Sequence, residues 1–225
     1  MIELDGVTHR YGDRTVLRDV TLTLTDRRVA VIGANGSGKS TLARTLNGLV
    51  VPSQGRVRVN GHDTRTDGAA VRREVGFVFT DPDAQIVMPT VGEDVASSLR
   101  RSGISRHDRD ERVADVLTRF GLDGHADHPA HLLSGGQKQL LALASVLVTE
   151  PKVLVCDEPT TLLDLRNSRR VAQLLADLPQ QVVLVTHHLD LVADYERVPV
   201  IDEGAVVHDG PAATAVPAYL RLMRA

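Results

Sequence analysis

Aromatic side chains supply only 3% of the 225 residues, as three tyrosines, three phenylalanines and no tryptophan, so a tyrosine placed in a turn stands out. The single cysteine, Cys156, excludes an internal disulfide and suits a reducing compartment. It lies in the apolar run Val153-Leu154-Val155-Cys156 and reads as a buried, inert thiol. Long hydrophobic runs are missing too: the longest largely apolar one, residues 140–148 with Ser145 inside it, is nine residues and too short to span a bilayer. Met1-Ile2-Glu3-Leu4-Asp5 has neither the basic start nor the apolar core of a signal peptide. The expectation is a soluble cytoplasmic protein whose membrane role, if any, comes through a partner. The formal charge of −3 gives no sign of a nucleic-acid partner held by net charge. Local clusters at Arg100-Arg101 and over residues 106–112 read as solvated helix faces, the second mixing both signs. Repeats and low-complexity tracts are lacking, and the length suits one substantial core or a core carrying a smaller subdomain.

What is present begins with Gly33-Ala34-Asn35-Gly36-Ser37-Gly38-Lys39-Ser40, which follows the apolar run Val29-Ala30-Val31-Ile32 and precedes a helical segment from Thr41. Strand, glycine loop, Gly-Lys-Ser and helix form the P-loop arrangement for nucleotide phosphates. The glycines let backbone N–H groups approach phosphate oxygens, and the helix start adds the positive end of its dipole. Lys39 is predicted to reach the β- and γ-phosphates and the Ser40 hydroxyl to ligate Mg²⁺.

Around that loop, residues 2–10 and 15–25 alternate apolar and polar as half-buried antiparallel strands do. Tyr11, with Gly12 beside it, interrupts them; it could stack on a base or pack against the loop, and the residues alone leave both open. Turn signals at Pro52-Ser53-Gln54-Gly55 and Asn60-Gly61 flank a strand over 56–59, and 75–79 reads as a core strand. Helical texture then takes over, at 91–101 and 107–120. A helical subdomain over 80–149 is therefore expected, inserted into an α/β core made of 1–79 and 150–225. A helix at 135–148, strands at 153–156 and 182–185, a hairpin at 198–201 and 205–208, and a last helix at 212–224 complete the chain. Strands separated by helices imply a parallel sheet with ligands at the strands' carboxyl ends.

Chemistry collects at those ends. Asp157 is placed to hold Mg²⁺, and Glu158 to polarise the water that attacks the γ-phosphate. His187 follows the next core strand and would contact that phosphate or orient water, with His188 pointing away. His125, His128 and His131 have poor ligand spacing, Pro129 interrupts them, and they read as a polar linker. Leu133-Ser134-Gly135-Gly136-Gln137 opens a helix with Ser134 as N-cap and forms a second anion site. Two phosphate sites about a hundred residues apart would serve one nucleotide if two copies of the chain faced each other.

These motifs, in this order, resemble the nucleotide-binding subunits of ATP-binding-cassette (ABC) transporters over essentially the whole length. The resemblance implies a P-loop NTPase (RecA-like) core with an N-terminal antiparallel β-subdomain and an inserted α-helical subdomain. It implies an ATPase with ATP and Mg²⁺ as cofactors. Nucleotide contacts would come from Gly33, Asn35, Gly36, Ser37, Gly38, Lys39, Ser40 and Thr41, with Tyr11 stacked on adenine. It further implies a head-to-tail homodimer or heterodimer in which Ser134, Gly135, Gly136 and Gln137 of one copy close over the other's P-loop. Asp164 matches the residue that communicates across that dimer. Thr80 stands where the family usually has a glutamine that senses magnesium and water; Gln85 would take part of that role or contact a transmembrane partner. Asp81-Pro82-Asp83-Ala84-Gln85 and Pro89-Thr90-Val91-Gly92-Glu93-Asp94-Val95 are similar to the ATPases of energy-coupling-factor importers. The stretch Asp157-Glu158-Pro159-Thr160-Thr161-Leu162-Leu163-Asp164-Leu165-Arg166-Asn167 looks more like the biotin branch, with cobalt or nickel uptake next. Expected partners are a transmembrane coupling protein and a membrane substrate-binding subunit at the cytoplasmic face of the membrane, with no nucleic acid. A soluble ABC ATPase without transport, or a slow nucleotide-gated scaffold motivated by Thr80, are the other readings.

Overall fold

A computed structural model describes residues 1–100 and 102–224. The alternating segments pair as a hairpin of β1 (Ile2–Tyr11) and β2 (Arg14–Leu24), with Leu4 opposite Leu22 and Tyr11 opposite Arg14. Tyr11 is thus the last residue of a strand, and the turn is Gly12-Asp13. Then come β3 (Arg28–Gly33), buried at every position, α1 (Lys39–Leu46), β4 (Gln54–Val59), the short β5 (His62–Asp63), α2 (Gly68–Glu74) and β6 (Val75–Val78). Three helices follow, α3 (Val91–Ser98), α4 (Arg106–Phe120) and α5 (Gly135–Leu147). The chain ends with β7 (Val153–Asp157), α6 (Leu165–Asp177), β8 (Gln181–Val185), β9 (Val200–Asp202), β10 (Ala205–His208) and α7 (Ala212–Leu222).

Two sheets result. Strands β2-β1-β4-β5 make an antiparallel sheet, and β10-β9-β3-β8-β7-β6 make a six-stranded sheet that is parallel except for the edge strand β10. Because side chains alternate along a strand, the six-stranded sheet feeds two cores. Leu154 and Cys156 of β7 face the helices, beside Phe120, Leu140 and Leu143. Val153 and Val155 face the antiparallel sheet and α1, beside Ile2, Leu24 and Leu46. Burial pushes the Cys156 thiol far up, so it stays protonated and inert as expected. No helix among the described residues is long and apolar enough to cross a membrane.

Helix α3 stops three residues short of the expected 91–101, with Leu99 as its cap; Arg101 lies outside the described residues. Helix α6 has no counterpart in the sequence reading. Its apolar stripe is narrow, with only Val171 and Leu175 buried, and its ends are closed by side chains. Asp164 caps the start, and the buried Arg28 guanidinium donates to the carbonyls of Ala176 (2.7 Å), Gln180 (2.8 Å) and Leu178 past the end.

Candidate active site

The centre of the parallel sheet is β3, with β8 on one side and β9 on the other, so the carboxyl ends of β3, β7 and β8 converge. The P-loop leaves β3 at Gly33 and enters α1 through Gly38, whose φ of 105° is a conformation favouring glycine. A side chain there would also strike the Val16 carbonyl, its Cβ lying 2.6 Å from that oxygen. Lys39 is 5% exposed, and its ammonium donates to the carbonyls of Gly33 (2.8 Å) and Ala34 (2.9 Å). Burial lowers its pKa from the ordinary lysine value, while Glu158 and Asp157 pull it back up. The loop thus holds a desolvated cation whose present partners are neutral carbonyls, an arrangement a phosphate would improve.

Across the loop, the Ser40 hydroxyl donates to Oδ1 of Asp157 at 2.8 Å, and Arg44 lies 3.7 Å from Oδ2. Asp157 is 1% exposed, and burial pushes its carboxyl above the usual range, opposed by the Ser40 hydrogen bond. A hydroxyl and a buried carboxylate side by side are hard oxygen donors of the kind Mg²⁺ takes when phosphate and water fill its other positions. The pair fits such an ion.

Beside it, Glu158 is held in the left-handed region (φ 53°), its N–H donating to the Val185 carbonyl at 2.9 Å. Its Oε2 accepts from the Thr161 hydroxyl (2.7 Å) and lies 2.5 Å from Nδ1 of His187. The His188 ring lies beside that of His187, with centroids 4.2 Å apart and planes tilted by 34°, and the N–H of His188 donates to the Thr186 hydroxyl at 3.0 Å. Thr80 reaches the same place from β6, donating its hydroxyl to the Asp157 carbonyl at 2.7 Å.

Tyr11, half exposed, stands edge-on to His9 with centroids 4.6 Å apart. It lines one wall of a cleft of about 280 Å³ that also takes in Asn35, Gly36, Gly38, Lys39, Ser40, Thr41 and Glu158. Arg14 and Val16 complete that wall and were not foreseen; the pairing of Arg14 with Tyr11 across the hairpin is the signal that would have found them. Ser134, Gly135, Gly136, Gln137 and Asp164 do not line the cleft. Ser134 and Gln137 form a reciprocal capping box at the start of α5, and Asp164 caps α6.

A family model described as ABC transporter matches residues 17–161. The chain belongs to the ABC transporter family. The biotin transport ATP-binding protein BioM of Rhizobium etli is 46% identical over 218 residues, covering 97% of each chain. Among solved structures, cbiO1 from Clostridium perfringens, part of the ABC transporter complex cbiONQ, superposes with a TM-score of 0.85 at 32% identity, covering 99% of this chain and 92% of that one. A dimeric post-hydrolysis state of the ATP-binding cassette MJ0796 bound to ADP and Pi matches with a TM-score of 0.82 at 29% identity, over 94% and 99% of the two chains. As an ABC transporter ATP-binding protein, this chain binds ATP and hydrolyses it to drive transport.

Gln85 of this ABC ATPase, for which the sequence left two roles open, makes its bonds within the chain. Gln85 does not join the nucleotide cleft. Its Oε1 accepts from the Phe79 N–H (3.2 Å) and its Nε2 donates to the Ala142 carbonyl (3.3 Å), so both ends of the amide are used between β6 and α5. The short helical turn at Pro82–Ala84 folds the segment back and delivers Gln85 there.

Proposed function

We propose that this chain is the ATP-hydrolysing subunit of an energy-coupling-factor-type importer. It would power uptake of a vitamin such as biotin, or of a transition-metal ion, through membrane partners at the cytoplasmic face. The observation that carries the chemistry is the Glu158–His187 contact at 2.5 Å, set beside the Ser40–Asp157 pair at 2.8 Å. The relation to BioM and to cbiO1 supports the class of cargo.

In this reading Tyr11 stacks on adenine, and the P-loop N–H groups from Gly36 to Thr41 cradle the phosphates. Lys39 exchanges the carbonyls of Gly33 and Ala34 for phosphate oxygens. Ser40 and Asp157 would hold Mg²⁺, which would supply positive charge against the phosphates. Glu158 takes the proton of the attacking water, and His187 keeps its carboxylate aimed. Each cleft is half a site. It is completed in a head-to-tail dimer, with a second copy or a second ABC ATPase, when the partner's Ser134-Gly135-Gly136 turn closes over the γ-phosphate. The dimeric MJ0796 cassette supports this arrangement. The helices over 80–149 then act as the subdomain that moves with the membrane coupling protein.

Coexpression with a transmembrane coupling protein and a substrate-binding subunit, followed by uptake of labelled biotin and of Co²⁺ or Ni²⁺ into vesicles loaded with ATP, tests the assignment. ATP-dependent uptake that fails with Glu158→Gln supports it. ATP turnover without association with any membrane subunit would sink it.

A further inference from the structure

Among the described residues, α3, α4, α5 and α6 each begin with an N-cap side chain that accepts from the backbone N–H of the third helical residue, and at α6 that residue's side chain adds a bond of its own to the cap. In α3, Thr90 and Glu93 bond reciprocally; in α5, Ser134 and Gln137 do the same. At the start of α6 the third residue is Asn167, whose amide bonds the Asp164 carboxylate and not the backbone of the cap. Asp164 receives two N–H groups from this one residue: Oδ1 accepts from the Asn167 backbone (2.8 Å) and Oδ2 from its Nδ2 (3.1 Å). The first bond is the ordinary cap and suffices for the helix. The second fixes the direction of the carboxylate.

The other face of the amide is also occupied. It lies against Gly136 so closely that a Cβ there would meet Cγ at 2.6 Å and both amide heteroatoms at 2.8 Å. The adjacent Gly135 faces open space, so the demand for glycine is local to the Asn167 contact. Gly136 is buried although it sits in a glycine turn. One side chain therefore joins the start of α5 to the acidic residue that starts α6. Behind it, α6 is tied to the end of α4, where Arg170 donates to the Phe120 carbonyl at 3.0 Å.

We propose that Asn167 is a positioning residue that locks the Ser134–Gly136 turn and Asp164 into one rigid unit, so that both meet the nucleotide face of a second copy together. This rests on the dimeric reading above for its consequence, though not for the lock itself. Without the lock the two elements would arrive independently, and closure over one nucleotide would no longer be felt at the other.

Two measurements decide it. In the nucleotide-free chain, Asn167→Ala is expected to speed hydrogen exchange over residues 133–138 at least five-fold, with residues 33–41 unchanged. In ATP turnover, Asn167→Ala and the same-sized Asn167→Asp, which cannot donate to Asp164, are expected to leave KM within two-fold. They should lower kcat ten-fold or more and bring the Hill coefficient to 1. Unchanged exchange with kcat within two-fold of wild type would overturn the proposal. So would a fall in kcat matched by an equal fall in the folded fraction measured by circular dichroism, since unfolded chain lowers kcat without moving KM. If wild type itself failed to turn over ATP, the proposed function would fall, and the exchange comparison would still decide for or against Asn167.

Discussion

Nδ1 of His187 lies 2.5 Å from Oε2 of Glu158, which also accepts from the Thr161 hydroxyl at 2.7 Å. The carboxylate oxygen is thus fixed by two groups from two elements, with its backbone set by a positive φ of 53°. A general base must be aimed before it can be used, and in the mechanism proposed above Glu158 is aimed before nucleotide arrives.

Glu158→Gln keeps the shape and removes the base. Turnover is expected to fall by about 100-fold or more, the range general-base removal produces, while ATP binding persists and the dimer accumulates in ATP. His187→Ala should cost about ten-fold, because it loosens the carboxylate without removing it. In the double variant the two losses should not add, since both act through one group. Steady-state ATPase rates of the three variants check this; additive losses would separate the two residues.

Thr80 holds the carbonyl of Asp157 through its hydroxyl at 2.7 Å, on the peptide that leads to Glu158. Thr80→Val should therefore lower stability by about 1 kcal/mol, the usual net worth of such a bond, and slow turnover. Thr80→Gln introduces an amide with both donor and acceptor near the phosphate end of β6, and basal ATPase should rise. An unchanged or lower rate with Thr80→Gln would show that threonine is no handicap here.

Much of this was legible from residues alone because the signals were local. Val29-Ala30-Val31-Ile32 before a glycine loop, and Val153-Leu154-Val155-Cys156 before Asp157-Glu158, carry strand, turn and charge in consecutive positions. Helix α6 was missed because its stability is borrowed: two buried apolar residues and an arginine from β3, more than a hundred positions away in the chain, hold it. The bonds of Gln85 were not legible either: the sequence left it between a share of the magnesium-sensing role and contact with a membrane partner, and its partners here, Phe79 and Ala142, are set by tertiary folding.

Gln85→Ala tests that placement. Losing the bonds to Phe79 and Ala142 leaves two main-chain groups with poorer partners, at a cost of about 1–3 kcal/mol. The melting temperature should fall by several degrees while ATP affinity is unchanged, because the residue is not in the cleft. Calorimetry and titration with a fluorescent ATP analogue measure both; a selective loss of affinity with normal melting would return Gln85 to the site.

Asp157 gives the pH dependence. Its carboxyl is raised above the ordinary 3.8, burial being the largest cause, so the folded chain holds this proton more tightly than the unfolded chain does. The sign follows: stability from this group falls as pH rises from 3.8 through the raised folded value, and above that value the whole cost of the buried charge is present. Asp157→Asn keeps an oxygen for the Ser40 hydroxyl and removes the charge. Its amide nitrogen would face Arg44, which is 43% exposed and can turn to water. Metal-free Asp157→Asn should then melt about 2–4 °C higher than wild type at pH 7, as ~1 kcal/mol would give in a chain of this size. The gain should vanish below pH 3.8, where both side chains are neutral. With excess Mg²⁺ and ATP the order should reverse, since only wild type has the carboxylate to hold the cation, and turnover by the variant should be lost. A variant that melted below wild type at pH 7 without metal would mean that Arg44 and Lys39 already outweigh the burial cost of this carboxylate.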